Sequence, residues 1–191
     1  FIIDQIYNFE MPEIISLEGF NELVRAKYGW MIYNKNDTYI GSSIREYGEW
    51  SSGEIEIIKQ LVEPSDVVIE LGSNIGSHTV PIAQLVPEGL VYAFEPQNII
   101  FENLCANISI NSLTNCICEK LAISESINDN FHALFFDFSR PQNFGAFSLE
   151  KIKKNSNYSV PIQTLDNKFS NLQNLKLLKM DIEGMELNAL K

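Results

Sequence analysis

Glu70, Glu95, Asp181 and Glu183 stand where apolar runs give way to loops, which suits ligand binding and proton transfer. Glu70 opens Glu70-Leu71-Gly72-Ser73-Asn74-Ile75-Gly76, and the run Val67-Val68-Ile69 before it has no helical spacing, as a strand buried on both faces requires. A helix-compatible apolar pattern resumes from Thr79 to Leu85. A buried strand, a glycine bend and a helix opening can together hold an anionic or zwitterionic ligand. Glycine lets the backbone come close, and unpaired N–H groups at the helix start point at the ligand. Glu70 is then placed to meet the ligand's ammonium, directly or through water. The bend of Gly72, Ser73, Asn74 and Gly76 takes its carboxylate. Glu95 and Pro96 come after the next apolar run, Leu90-Val91-Tyr92-Ala93-Phe94, where an acid suits paired hydrogen bonds to a ribose diol. Asp181 and Glu183 end the run Leu175–Met180, and two crowded acids can raise the pKa of one and make it a general base.

These residues need elements to carry them. Ile14 to Lys27 reads as a helix with Ser16 as N-cap and Leu17, Phe20, Leu23 and Val24 on one face. Trp30 to Ile40 reads as a hairpin turning at Asn34-Lys35-Asn36-Asp37. Ser51 or Ser52 caps a helix bearing Ile55, Ile58, Leu61 and Val62, which Pro64 ends. A helix over Asn98 to Ile110 and a third strand from Cys116 to Leu121 come next, with the backbone of Ala122 placed to frame an adenine. Between Glu125 and Ser159 the alternation lapses: His132 to Phe138 reads as a strand, Arg140 to Gly145 as a loop, and Ala146 to Leu149 as its return. This β-rich insertion reads equally as a substrate cover or a structural hairpin. Val160 to Asp166 leads into a short helix, and Leu175 to Met180 is a fourth core strand. The expected organisation is a helix-and-hairpin extension over 1–50 and a ligand-binding core over 51–191.

Composition narrows the classes. The chain has 191 residues, enough for one domain, with 45% hydrophobic and 20% charged residues, so it is globular. A net charge of −11 repels a phosphate backbone and argues against a nucleic-acid partner. No apolar run reaches the ~18 residues of a membrane span. Cys105, Cys116 and Cys118 are odd in number and read as small buried hydrophobes, which points to a reducing, cytoplasmic setting. With His78 and His132 as the available imidazoles, no metal site is expected. Phe1 in first place suggests a fragment or a processed chain.

With these blocks in view, the chain resembles the FkbM-type family of S-adenosylmethionine-dependent methyltransferases from about Ile44 to Lys191. The resemblance rests on Asp66–Thr79, on Val91–Pro96 ending in Phe-Glu-Pro, on Val160–Asp166 ending in Thr-Leu-Asp, and on Leu178–Glu186. Asn143-Phe144-Gly145 is similar to a shorter element of that family. The resemblance implies an α/β, doubly wound Rossmann-like sheet with helices on both faces. The cofactor would be S-adenosylmethionine, on Glu70, Gly72, Ser73, Asn74, Gly76, Glu95, Pro96, Ala122 and Asp181. It further implies O-methylation of a hydroxyl on a sugar, glycan or secondary metabolite. A complete sheet of this class has seven strands, so the remaining ones are expected beyond Lys191.

In that reading a hydroxyl attacks the sulfonium methyl group, and Asp181 and Glu183 are the leading candidates for its base. Asp181 has an alternative duty on the cofactor's ammonium, and Glu183 and Glu186 as favourable charges in a helix's first turn. His78 is a further candidate base, unless it points into the interior or at the cofactor carboxylate. Tyr47, Trp50 and Glu54 are placed for a lid, although Trp50 suits packing on the sheet. An NAD-dependent oxidoreductase and a non-catalytic binding module are the rival readings. The first lacks the third glycine of a dinucleotide fingerprint.

Overall fold

A computed structural model describes residues 13–127, 136–145 and 160–191. It opens with an antiparallel meander of β1 (Ile14–Ser16), β2 (Asn21–Ala26) and β3 (Gly29–Asn34). This corrects the helix expected over Ile14 to Lys27. Gly19, at φ +92, breaks any helix there, and β2 buries alternate residues, Glu22 and Val24. The spacing of Leu17, Phe20, Leu23 and Val24 was helical only by coincidence. Glu22 is tolerated inside because Tyr33 Oη donates to its carboxylate at 2.6 Å and Ser16 Oγ at 3.4 Å. The hairpin bends before Gly29, not at Asn34–Asp37. That second stretch is instead the exit to α1 (Ile40–Tyr47), stapled by Asn34 and Asp37 side chains that accept from the N–H groups of Asn36 and Tyr39.

After α2 (Ser52–Leu61), the core repeats strand and helix: β4 (Val67–Leu71), α3 (Thr79–Leu85), β5 (Leu90–Phe94), α4 (Asn98–Ile110) and β6 (Cys116–Glu119). A two-residue strand β7 (Ala122–Ile123) pairs with β8 (Ile162–Gln163). Then α5 (Leu165–Phe169), capped by Thr164, β9 (Leu175–Met180) and α6 (Glu186–Ala189) complete the described residues. The parallel sheet runs β6-β5-β4-β9, so β4 and β5 are central and β9 is an edge among the described residues.

Strand alternation sorts the side chains between two faces. Val68, Val91 and Ala93 pack toward α2, α3 and α4 with Ile55, Ile82 and Leu104. Ile69, Leu71 and Phe94 pack on the other face with Phe169 of α5 and Ala189 of α6. Each such fully buried Ile, Leu or Phe contributes about 1.5–3 kcal/mol. Val24, Met31 and Tyr33 of the meander share one apolar cluster with Ile75, Val80 and Leu104 of the core, so the two regions divided at residue 50 are packed together. The three cysteines are free and half-buried, Cys116 and Cys118 against the apolar core, and burial pushes these two thiols up to about 12.

Asparagines on α4 and just past its end fasten the meander to the sheet layer. Asn107 Oδ1 accepts from Ile32 N at 2.6 Å, and its Nδ2 donates to Ile32 O at 2.9 Å. One turn on, Asn111 does the same for Trp30, at 2.9 and 2.7 Å. The two carboxamides take the place of a further strand along β3. Gly29 makes room for them, since a Cβ there would lie 2.0 Å from Asn111 Oδ1.

Among the described residues no helix is long and apolar enough to cross a membrane, and no group of three His, Cys, Asp or Glu side chains is arranged to hold a metal. The strand expected from His132 and the return strand over Ala146 to Leu149 lie outside the described residues. Phe136 and Phe138 are described, and both lie outside any strand.

Candidate functional site

The carboxyl ends of β4, β5 and β9 converge on a cleft of about 250 Å³. Gly72 and Asn74 line it from the β4–α3 loop, and Glu95, Pro96 and Gln97 from the β5–α4 turn. Asp181, Ile182 and Glu183 close it from the end of β9. Tyr39, Ile40 and Trp50 come from the N-terminal region, and Asn143 and Gly145 from the insertion. The glycine bend and Glu95, far apart in sequence, therefore share one cavity.

The loop is held from beneath. Gly72 and Ser73 donate their N–H groups to Phe94 O at 3.0 and 2.9 Å, and Gly76 donates to Ser73 O at 2.9 Å. Asn74 N donates to Glu95 Oε2 at 3.0 Å, which ties the bend to the acid. Gly72 must be glycine: its φ is +79, and a Cβ would lie 2.0 Å from the carbonyl oxygen of Asp181. That contact brings the ends of β4 and β9 together.

Glu95 is buried, and its other oxygen accepts from Gln97 N at 2.8 Å. Burial pushes its carboxyl up to about 7, against the downward pull of the Gln97 and Asn74 N–H groups. Each oxygen has taken one N–H, so lone pairs remain for two hydroxyls. Gln97 beside it is buried, with Nε2 lacking a hydrogen-bond partner among the described residues. At the β9 end, burial and the charges of Asp181 and Glu186 raise the Glu183 carboxyl, and Glu183 adopts φ +51. Glu186 is drawn down by its own N–H and those of Ile182 and Gly184, and it accepts from the latter two at 3.2 and 3.3 Å. Glu186 thus serves the first turn of α6, while Glu183 precedes that helix and faces the cleft.

Other expected residues fall elsewhere. Glu70 does not line the cleft: the pleat turns it onto the α3 face. Its Oε2 accepts from Thr79 Oγ1 at 2.6 Å, and its Oε1 lies 3.4 Å from Lys179 Nζ. Its carboxylate is thus engaged in a buried pair with Lys179 and Thr79 rather than turned into the cleft. Ser73 and Gly76 shape the bend from behind, Ser73 by donating to Glu70 O at 3.2 Å and Gly76 by packing on Leu104. His78 is buried behind the loop, 4.0 Å from Glu54 Oε2, with burial lowering its pKa. It is not among the residues that line the cleft. Ala122 spends its N–H on Pro161 O within the small β7–β8 pair and is also outside the cleft. Of the expected lid residues, Trp50 lines the cleft and Tyr47 and Glu54 do not. Tyr39, Ile40 and Gln97 were missed. Tyr39 and Ile40 come to the cleft only because α1 starts where it does, after a turn read as a hairpin. Gln97 had a signal, its place directly beyond Glu95-Pro96 at the tip of a core strand.

Asn143 and Gly145 reach the cleft through paired backbone bonds to the meander exit, Thr38 N to Gln142 O and Gln142 N to Asn36 O, each 3.0 Å. Phe136, Phe138 and Phe144 cluster behind them, Phe138 stacked on Phe144 with centroids 4.9 Å apart and Phe136 edge-on to both.

A glycine bend and a buried acid thus meet at adjacent strand tips of a Rossmann-like α/β domain. The chain belongs to the FkbM methyltransferase family, whose domain profile, described as Methyltransferase FkbM domain, matches residues 70–191. The cofactor of that family is S-adenosylmethionine, and the cleft residues fit it: a buried carboxyl with lone pairs to spare, a side-chain-free approach at Gly72 and, at Gln97, an amide nitrogen unpartnered among the described residues. A tRNA(Phe) (4-demethylwyosine(37)-C(7)) aminocarboxypropyltransferase of Methanocaldococcus jannaschii is 37% identical over 71 residues, covering 36% of this chain and 28% of its own. The chain thus spans less than a third of that relative. Among solved structures, M. jannaschii TYW2 in complex with AdoMet superposes with TM-score 0.34 at 22% identity, over 59% of this chain and 44% of the other. Trm5b from Pyrococcus abyssi gives TM-score 0.43 at 14% identity, over 55% and 29%.

Proposed function

We propose that the chain binds S-adenosylmethionine in this cleft and methylates a hydroxyl of an uncharged acceptor, a sugar, glycan or secondary metabolite. The observation that carries the acceptor class is the character of the cleft wall. It presents Glu95, Asp181 and Glu183, and neither Lys nor Arg is among its described lining residues. With a net charge of −11, such a wall repels a polyanion.

Glu95 would hold the ribose hydroxyls, and the loop from Gly72 to Asn74 the amino-acid end. When bound, the cofactor supplies an electrophilic methyl group with a thioether as its leaving group. The protein's remaining tasks are to orient the acceptor oxygen, exclude water and take up the proton released. Glu183 suits the last task, since its raised carboxyl is a better proton acceptor than an ordinary glutamate. Asp181 beside it sustains that shift. Tyr39 and Trp50 offer aromatic faces to an acceptor ring.

A second reading comes from the M. jannaschii relative: transfer of an aminocarboxypropyl group to tRNA. The test is a parallel incubation of methyl-labelled S-adenosylmethionine with a neutral glycan mixture and with bulk tRNA. Label in the glycan fraction is the expected result. Modification of tRNA by the larger, unlabelled group would refute the proposal.

A further inference from the structure

We propose that Asn107 is a positioning residue that sets the cofactor loop and locks it to the N-terminal wall of the cleft. The proposal builds on the cofactor site described above. Asn107 is fully buried on α4 and lies outside the cleft lining. Its carboxamide makes three hydrogen bonds. Two engage Ile32 of β3, and the third runs from Nδ2 to Ile75 O, in the middle of the glycine bend, at 2.8 Å.

The loop's other described anchors differ in origin. Gly72 and Ser73 hang from Phe94, Asn74 from Glu95, Ile75 N from the Asn74 side chain at 2.8 Å, and Gly76 from Ser73. These, with the bond of Ser73 Oγ to Glu70 O, fix its underside to β4 and to the end of β5 and the turn after it, or fold it on itself. The Asn107 bond ties it to α4 and, through Ile32, to the strand whose exit leads to Tyr39 and Ile40. One side chain thereby joins two walls of the cleft, the Gly72–Asn74 wall and the Tyr39–Ile40 wall. The chemistry needs a carboxamide. Ile32 N–H requires an acceptor, while Ile32 O and Ile75 O both require donors. Aspartate keeps the first bond and sets a carboxylate against two carbonyls.

Asn111 provides the control, because it grips β3 at Trp30 and its described bonds do not reach the loop. The experiment compares Asn107→Ala, Asn107→Asp and Asn111→Ala in the full chain. It uses calorimetric binding of S-adenosylhomocysteine and hydrogen exchange of the peptide spanning residues 72–77 without ligand. The expected result is a Kd raised about tenfold in Asn107→Ala, more in Asn107→Asp, and within about twofold in Asn111→Ala, for melting losses that are alike. Loop exchange should accelerate in the two Asn107 variants alone. Equal affinities and equal loop exchange in Asn107→Ala and Asn111→Ala would overturn the assignment. The exchange arm stands apart from the cofactor reading: a wild-type chain that binds no S-adenosylhomocysteine defeats that reading, whereas unchanged loop exchange in Asn107→Ala defeats this one.

Discussion

The buried acid at the tip of β5 should make cofactor affinity depend on pH near neutrality. Burial disfavours the charge of Glu95 and pushes its carboxyl up to about 7. A ribose diol donates two hydrogen bonds and therefore selects the ionised form. At about pH 6 roughly one-tenth of the molecules carry that form, and at about pH 8 roughly nine-tenths. If the ionised form is the competent one, the apparent Kd is the intrinsic value divided by that fraction, so it falls about tenfold across the interval. Binding should release about half a proton per site at about pH 7, seen as a dependence of calorimetric heat on buffer ionisation enthalpy. Linkage gives the opposite sign for the free protein. The folded pKa lies above the ordinary glutamate value of 4.5, so the contribution of Glu95 to stability is full below about 4.5 and is lost as pH rises through about 7. Titration of S-adenosylhomocysteine at several pH values, with Glu95→Gln as the pH-insensitive control, decides the matter. A wild-type Kd that stays flat from about pH 6 to about pH 8, with no proton released, would refute the reasoning.

Lys179→Met should cost about 3–5 kcal/mol in urea unfolding, because it strands the buried Glu70 carboxylate, while the double variant Lys179→Met/Glu70→Gln should recover most of that loss. Gly72→Ala should lower stability by about 2 kcal/mol or more and abolish measurable S-adenosylhomocysteine binding, since its Cβ must displace the Asp181 carbonyl; thermal melts and calorimetry check both. Glu183→Gln should reduce kcat by about 10²-fold or more with little change in S-adenosylhomocysteine Kd. Asp181→Asn removes a charge that raises the Glu183 carboxyl, so the acidic limb of the kcat–pH profile should move to lower pH.

Much of the core was legible because its strands are short continuous apolar runs with punctuated ends. Val67–Leu71, Leu90–Phe94, Leu175–Met180 and the helix Asn98–Ile110 lie where the pattern put them. The meander was misread because its second strand buries a glutamate, and periodicity counts only apolar residues. Within the site, position along the chain indicated which residues reach the strand tips, as for Gly72, Glu95 and Asp181. It did not indicate which face of the pleat a side chain takes: Glu70 turns away from the cleft, toward Lys179 and Thr79. The direction of His78 was illegible for a related reason: the helix it enters turns it inward, against the Trp50 backbone. The asparagine contacts were illegible because those to β3 join residues 75 to 81 positions apart, and the bond from Asn107 to Ile75 spans 32.

The carboxamides lying along β3 also bear on behaviour at high concentration. An outer strand with open amides is a template on which another molecule can zip its own backbone, the first step toward fibrous aggregates. Because Trp30 and Ile32 already have their N–H and C=O groups occupied by Asn111 and Asn107, these two residues have no open backbone groups to pair with an incoming chain. Alanine at both asparagines would reopen it, and the chain would become prone to self-association even while still folded.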